Sequence, residues 1–277
     1  MPEFRFGTVG VPISTPAKPG GSVGAIFRLA ELGLSALELG WVQAVRVTEA
    51  TCAAIRVEAQ KQNITLSVHA PYFINLNASD EEWPKSRKRL MDAAYYGNLA
   101  GATDIIFHPG SYFGANPAEV LAVAIPRLAG CVDELRTAGN PVILRPETMG
   151  KSAMLGSLED TLEMSRHIPG VLPCLDFAHL HARAGDGSVN SYDEFAHILH
   201  VYAQYLGNIA LQNLHIHLSG IEYTTKGEKN HLPIRESDLQ ITGLFKALRA
   251  HDCSGRILCE SPVMEEDALY MKEIYPA

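Results

Sequence analysis

The chain has 277 residues, 47% of them apolar, and a formal net charge of −8. That length suits one large α/β domain, residues 1–277, better than two small ones, and the acidic balance speaks against a surface coated in phosphate contacts. No apolar run reaches the ~18 residues of a membrane span, no charged-then-apolar leader opens the chain, and the five cysteines form no CxxC pair, so a cytoplasmic protein with reduced thiols and no membrane partner is expected.

In chain order, short apolar runs alternate with longer amphipathic stretches. Candidate strands cover residues 4–9, 36–39, 65–69, 104–108, 142–147, 172–176, 214–218 and 256–260. Helical patterns, such as residues 119–137 and 192–206, lie between them. Strand–helix alternation repeated about eight times predicts a parallel sheet closed into a (β/α)8 TIM barrel, without a linker or internal boundary. An open doubly wound sheet would carry a phosphate-cradling glycine turn after its first strand. The Gly20-Gly21 pair in VGVPISTPAKPGGSVG lacks that spacing.

Six strands end in an ionisable residue: His69, His108, Glu147, Asp176, His217 and Glu260. Strand C-termini of a (β/α)8 barrel open on one face, so these side chains should converge. Alternation sharpens the assignment. In NLHIHLSG, Leu214, Ile216 and Leu218 face the helices, while His215 and His217 face the lumen. His217 lies nearer the mouth, and His215 sits a layer deeper as a hydrogen-bonded residue. Glu38 and Arg145 should also face the lumen, as a charge pair. Crowded carboxylates need compensating positive charge. Imidazole and carboxylate donors suit zinc, with manganese or iron also compatible. The densest basic strip is Lys85, Arg87, Lys88 and Arg89.

The segments SVHAPYFINL, IIFHPGSYFG, ILRPETMG, CLDFAHLHARAG, LHIHLSG and ILCESP follow the order and spacing of the endonuclease IV family of apurinic/apyrimidinic endonucleases, which the chain resembles along almost its whole length. The resemblance implies a monomeric, metal-dependent DNA repair enzyme. It would hydrolyse the phosphodiester 5′ of an abasic site in damaged double-stranded DNA, with two or three zinc ions. His69 and His108 would hold one ion, and the catalytic Glu147 would bridge to a second completed by Asp176, His217 and Glu260. His179 and His231 would hold a third, with His181 at the surface or behind the ligands. Tyr72 would approach the DNA, with Phe73, Trp41 and Tyr112 as further aromatics near the site.

Two departures stand out. Where the family has Asp-x-His, this chain has Lys229-Asn230-His231, and a protonated lysine cannot ligate. Either Glu228 substitutes or the third site is weak, and Lys229 would then reach a substrate phosphate. His217-Leu218-Ser219-Gly220 likewise replaces the family's His-Leu-Asn-Asp. Two rivals compete with the nuclease. Glu147, Asp176, His217 and Glu260 also match the one-metal set of xylose-isomerase-like sugar isomerases and epimerases. A damage-binding protein that does not cleave is the other.

Overall fold

A computed structural model describes residues 3–276. Eight parallel strands form the central sheet: β1 (Phe4–Val9), β2 (Ala36–Gly40), β3 (Thr65–His69), β4 (Asp104–Phe107), β5 (Ile143–Pro146), β6 (Cys174–Asp176), β7 (Leu214–Leu218) and β10 (Gly255–Cys259). Their order is β5-β4-β3-β2-β1-β10-β7-β6. Parallel bridges Leu144↔Val171 and Glu147↔Cys174 join the two edges and close the barrel. Nine α-helices surround it among the described residues, including α3 (Trp83–Ala100), α4 (Pro117–Thr137) and α6 (Phe177–Arg183). None of them is long and apolar enough to cross a membrane.

Local chemistry explains the elements. Pro117 opens α4 behind an Asn116 cap whose side chain accepts from the Ala118 amide, satisfying one of the free donors of the first turn. Ser157 and Asp160 form a capping box at the start of α5 (Leu158–His167). The outward strand residues Leu37, Leu66, Val68, Ile105, Leu144 and Ile216 are buried against the helices in one continuous core. Each such side chain contributes about 1.5–3 kcal/mol.

The lumen is polar, and it is built in tiers. At the N-terminal end Asp104 pairs with Arg145 and, at 2.9 Å, with Arg256. Arg145 also donates to the carbonyls of Pro173 (2.9 Å) and Asn213 (3.0 Å). One tier up, the Glu38 carboxylate accepts from Ser67 Oγ (2.7 Å) and His215 Nε2 (2.9 Å). Glu38 and Arg145 thus both face the lumen, but the expected charge pair between them does not form. Alternation fixes the face of a side chain and not the end toward which it leans. The long arginine folds down to Asp104, a residue at the start of β4 whose role the strand pattern did not reveal.

A two-stranded antiparallel ribbon, β8 (Gly220–Thr224) and β9 (Gly227–Leu232), stands outside the barrel sheet after β7. It was not anticipated, because its residues are mostly polar and carry no period-two apolar signal. The pairing runs Ile221↔His231, Glu222↔Asn230, Tyr223↔Glu228, so Lys229 is the extra residue of a β-bulge.

Candidate metal centre

Glu147 follows β5 by one residue and is fully buried at the mouth of the barrel. Four imidazoles face its two oxygens. Oε2 lies 3.2 Å from His69 Nε2 and 3.3 Å from His108 Nε2. Oε1 lies 3.3 Å from His217 Nδ1 and 3.4 Å from His179 Nδ1. Glu260, just past β10, has Oε1 3.5 Å from His217 Nδ1. Of four donor groups among the described residues, Cys174–His215–His217 lies deeper in the lumen and three meet at the mouth: His69–His108–Glu147, Glu147–Asp176–His217–Glu260 and Asp176–His179–His231. Glu147 and Asp176 each belong to two of them, so the three form one connected cluster. Every strand-end residue singled out from the sequence is therefore brought together with His179 and His231.

The hydrogen bonds fix which ring nitrogens are free. A carbonyl only accepts, so His69 Nδ1, 2.9 Å from the Ala70 carbonyl, carries the proton and leaves Nε2 toward Glu147. By the same reasoning His179 Nδ1 donates to Thr148 O (2.9 Å) and His231 Nδ1 to Glu260 O (3.2 Å). The Nε2 atoms of His179 and His231 then face each other at 3.3 Å. Two lone pairs at that distance are tolerable only around a shared proton or a cation. Asp176 Oδ2 is buried without a hydrogen bond, facing only His179 Nδ1 at 3.3 Å, whose proton goes to the Thr148 carbonyl. The donor types and these orphaned atoms fit a divalent ion such as zinc.

Charge coupling follows the same geometry. Burial alone would raise the Glu147 carboxyl, but His217, His108 and His179 hold it well below the ordinary carboxylate range. Burial pushes Asp176 up to about 6 against the pull of His179, with Glu260 and Glu147 adding to the rise. Burial opposes charge on His179 and His217, yet the acidic side chains around them, Asp176 and Glu147 for the first and Cys174, Glu260, Glu38 and Glu147 for the second, hold both well above the usual imidazole value. Burial pushes His108 down. The cluster therefore holds protons that a metal ion would displace.

The ribbon supplies the last donor. Tyr223, Ile221, Glu228 and His231 share its inner face because the bulge absorbs Lys229. Glu228 Oε2 lies 3.6 Å from His179 Nε2. Gly150 makes the approach possible, since a Cβ there would fall 2.7 Å from Glu228 Cβ and 2.8 Å from its Oε2. Lys229, by contrast, points outward and pairs with Glu222 at 2.6 Å. The expectation that Lys229 repels the third ion or reaches substrate is corrected by the bulge, which turns its side chain away from the cavity.

That cavity, about 430 Å³, is lined by Tyr72, Glu228 and Val9 together with the histidines and Glu260. Tyr72 stacks on His108 with ring centroids 4.9 Å apart, and its hydroxyl, pushed up to about 12 chiefly by burial, stays protonated. Phe73 beside it is 58% exposed. Tyr112 instead is buried with its hydroxyl on Asp160, and Trp41 packs against the core. His181 is fully buried rather than superficial, held between Ser188 O (2.6 Å) and Asp238 (3.1 Å). The basic strip is largely neutralised, Lys85 by Glu82, Lys88 by Asp92 and Arg87 by Glu134.

Comparison with known proteins places this architecture. The family described as "Xylose isomerase-like TIM barrel" matches residues 26–274. The chain belongs to the xylose isomerase-like TIM barrel family. Within it, an uncharacterized protein of Methanocaldococcus jannaschii is 37% identical over 271 residues, 98% of this chain and 96% of that protein. Endonuclease 4 of Thermus thermophilus is 28% identical over 196 residues, 67% of this chain and 66% of that enzyme. Among solved structures, endonuclease IV from Thermus thermophilus superposes with TM-score 0.70 at 23% identity, covering 97% of this chain and 98% of that one. A D-tagatose 3-epimerase-like protein also gives TM-score 0.70, at 18% identity, covering 97% and 96%. At such identities the superpositions speak for the barrel fold alone.

Proposed function

We infer that this family member is a zinc-dependent DNA repair hydrolase that cleaves the phosphodiester 5′ of an abasic site, acting as a cytoplasmic monomer on damaged double-stranded DNA. One observation carries the reading. The Glu147–Asp176–His217–Glu260 set would suffice for a single-metal sugar enzyme, but His69–His108 and His179–His231 add donor groups on either side of it. A sugar isomerase has no use for them, whereas clustered ions suit phosphodiester hydrolysis.

His69, His108 and Glu147 would hold one ion, and Glu147, Asp176, His217 and Glu260 a second. His179, His231 and Glu228 would hold a third beside Asp176. When bound, the ions supply an activated water and neutralise phosphate charge. Glu147 fixes the spacing between the first two positions, and its buried carboxylate is the residue we place at the centre of catalysis. Tyr72 donates from the cavity wall, and the exposed Phe73 ring beside it is placed to press into a distorted duplex. Incubation of zinc-loaded protein with a duplex carrying one abasic site should yield a single nick on its 5′ side. Zinc content of two or three ions per chain accompanies that outcome. One ion per chain and no nicking would leave the sugar isomerase or epimerase reading, which the net charge of −8 and the neutralised basic strip favour. Tight binding of the abasic duplex without nicking would mark a damage-binding protein instead.

A further inference from the structure

Below the metal cluster, Glu38 sits on β2, across the lumen from β7, with no exposure to solvent. Its Oε2 accepts from Ser67 Oγ at 2.7 Å and from His215 Nε2 at 2.9 Å. Its Oε1 lies 3.0 Å from His217 Nε2. Two hydrogen bonds thus fix Oε2 of one buried carboxylate, and its Oε1 faces His217 Nε2 at ion-pair distance without a hydrogen bond. Ser67 and His215 tether Oε2, which holds Oε1 toward His217.

The consequence falls on His217. A neutral imidazole has one protonated and one free nitrogen. With an ion in the Glu147–Asp176–Glu260 position, Nδ1 would be the ligating nitrogen, and the ring proton would stay on Nε2, toward the accept-only carboxylate of Glu38. Nδ1 is then the free donor, and it is the nitrogen that lies 3.3 Å from Glu147 and 3.5 Å from Glu260. We propose that Glu38 is a positioning residue that fixes His217 in the tautomer and ring orientation presenting Nδ1 to the Glu147–Asp176–Glu260 position. Nothing else among the described residues lies on the Nε2 side of His217 as a carboxylate, and Cys174, the other group beneath the ring, is fully buried as a thiol whose ionisation burial opposes. The Glu38 side chain does not line the cavity, and of the strand-end donors only His217 lies within ion-pair distance of it. The proposal rests on His217 being a zinc ligand, as the functional reading assigns.

Glu38→Gln keeps the shape but replaces one oxygen with an NH2 group. The negative charge facing His217 Nε2 is then gone, while Ser67 and His215 can turn to accept from the new NH2, so the variant isolates that charge. Zinc affinity, measured by competition with a chromophoric chelator, should fall about 10–100-fold for one equivalent while the remaining equivalents are unchanged. Glu38→Asp, which retains the charge, should recover part of the loss. Long-range 1H–15N spectra of zinc-loaded wild-type protein should show the proton of His217 on Nε2. Wild-type zinc affinity in Glu38→Gln, or a proton on Nδ1 in the zinc-loaded wild type, overturns the proposal. The spectrum decides the matter even if the variant does not fold. Failure to nick an abasic duplex with zinc bound counts against the nuclease reading and leaves both of these readouts standing.

Discussion

Glu228 offers the sharpest test of the third donor group. Its carboxylate reaches His179 only because the bulge at Lys229 rephases β9 and because Gly150 leaves room beneath it. At an effective dielectric of 20, a unit charge at about 4 Å contributes roughly 4 kcal/mol to a monovalent cation. Glu228 is 22% exposed, and solvent screening lowers that figure, so we take about 3 kcal/mol for its loss, or roughly 100-fold in affinity. Glu228→Gln should therefore shed one zinc equivalent on dialysis against a moderate chelator, read by elemental analysis, with an unchanged circular dichroism spectrum. Gly150→Ala should reproduce the loss without altering any donor, since its methyl group would occupy the space of the Glu228 side chain. Lys229→Asp, on the outer face, should leave the zinc content as it is. Full zinc content in Glu228→Gln, or an extra equivalent gained by Lys229→Asp, would refute the reasoning from the bulge.

Three other outcomes follow from the geometry. Glu147→Gln removes the shared charge, and nicking should drop to below about 1% of wild type while the metal-free melting curve keeps its cooperativity; wild-type turnover would remove Glu147 from the chemistry. Asp176 is raised by burial to about 6, so the stability its protonated form gives the metal-free fold is present below the ordinary carboxyl value and lost as pH rises through about 6, and the raised imidazoles of His179 and His217 act in the same direction. The zinc-induced gain in melting temperature should therefore widen as pH rises through about 6, and a constant gain would contradict this. Asp104→Ala leaves Arg145 and Arg256 without their shared anion, and urea denaturation should show a loss of about 3–5 kcal/mol; a loss near zero would mean that the arginines find other partners.

The barrel and its mouth were legible because a parallel strand announces itself twice, by an apolar run and by the polar residue that ends it. His69 and Asp176 close their strands, His217 is the last but one of its own, and His108, Glu147 and Glu260 follow theirs by one residue. The depth of His215 also followed from alternation, and its bond to Glu38 bears this out. What alternation cannot express is direction along the barrel axis. Arg145 shares a lumen with Glu38 yet leans to the opposite end, where Asp104 and two carbonyls await it. The ribbon escaped because a polar hairpin has no periodic apolar face. Its bulge then misled the reading of Lys229-Asn230-His231, since a fixed spacing assumes a regular strand. The one available signal was Glu228 itself, a carboxylate one residue from the family's aspartate position.

His69, His108, Glu147, Asp176, Glu260 and His217 are mounted on the rigid staves of the barrel, whereas Glu228 and His231 ride on a hairpin outside the barrel sheet, held to its surroundings by hydrogen bonds such as Glu228 N–H to the Gly150 carbonyl, His231 Nδ1 to the Glu260 carbonyl and the Tyr223 hydroxyl to Asp238. An ion gripped by both His179 and His231 would act as a rivet between frame and flap. Stripping it would free the flap's amides to exchange with solvent while those of the staves stay locked, so the hairpin's hydrogen-exchange rate becomes a gauge of how full that position is.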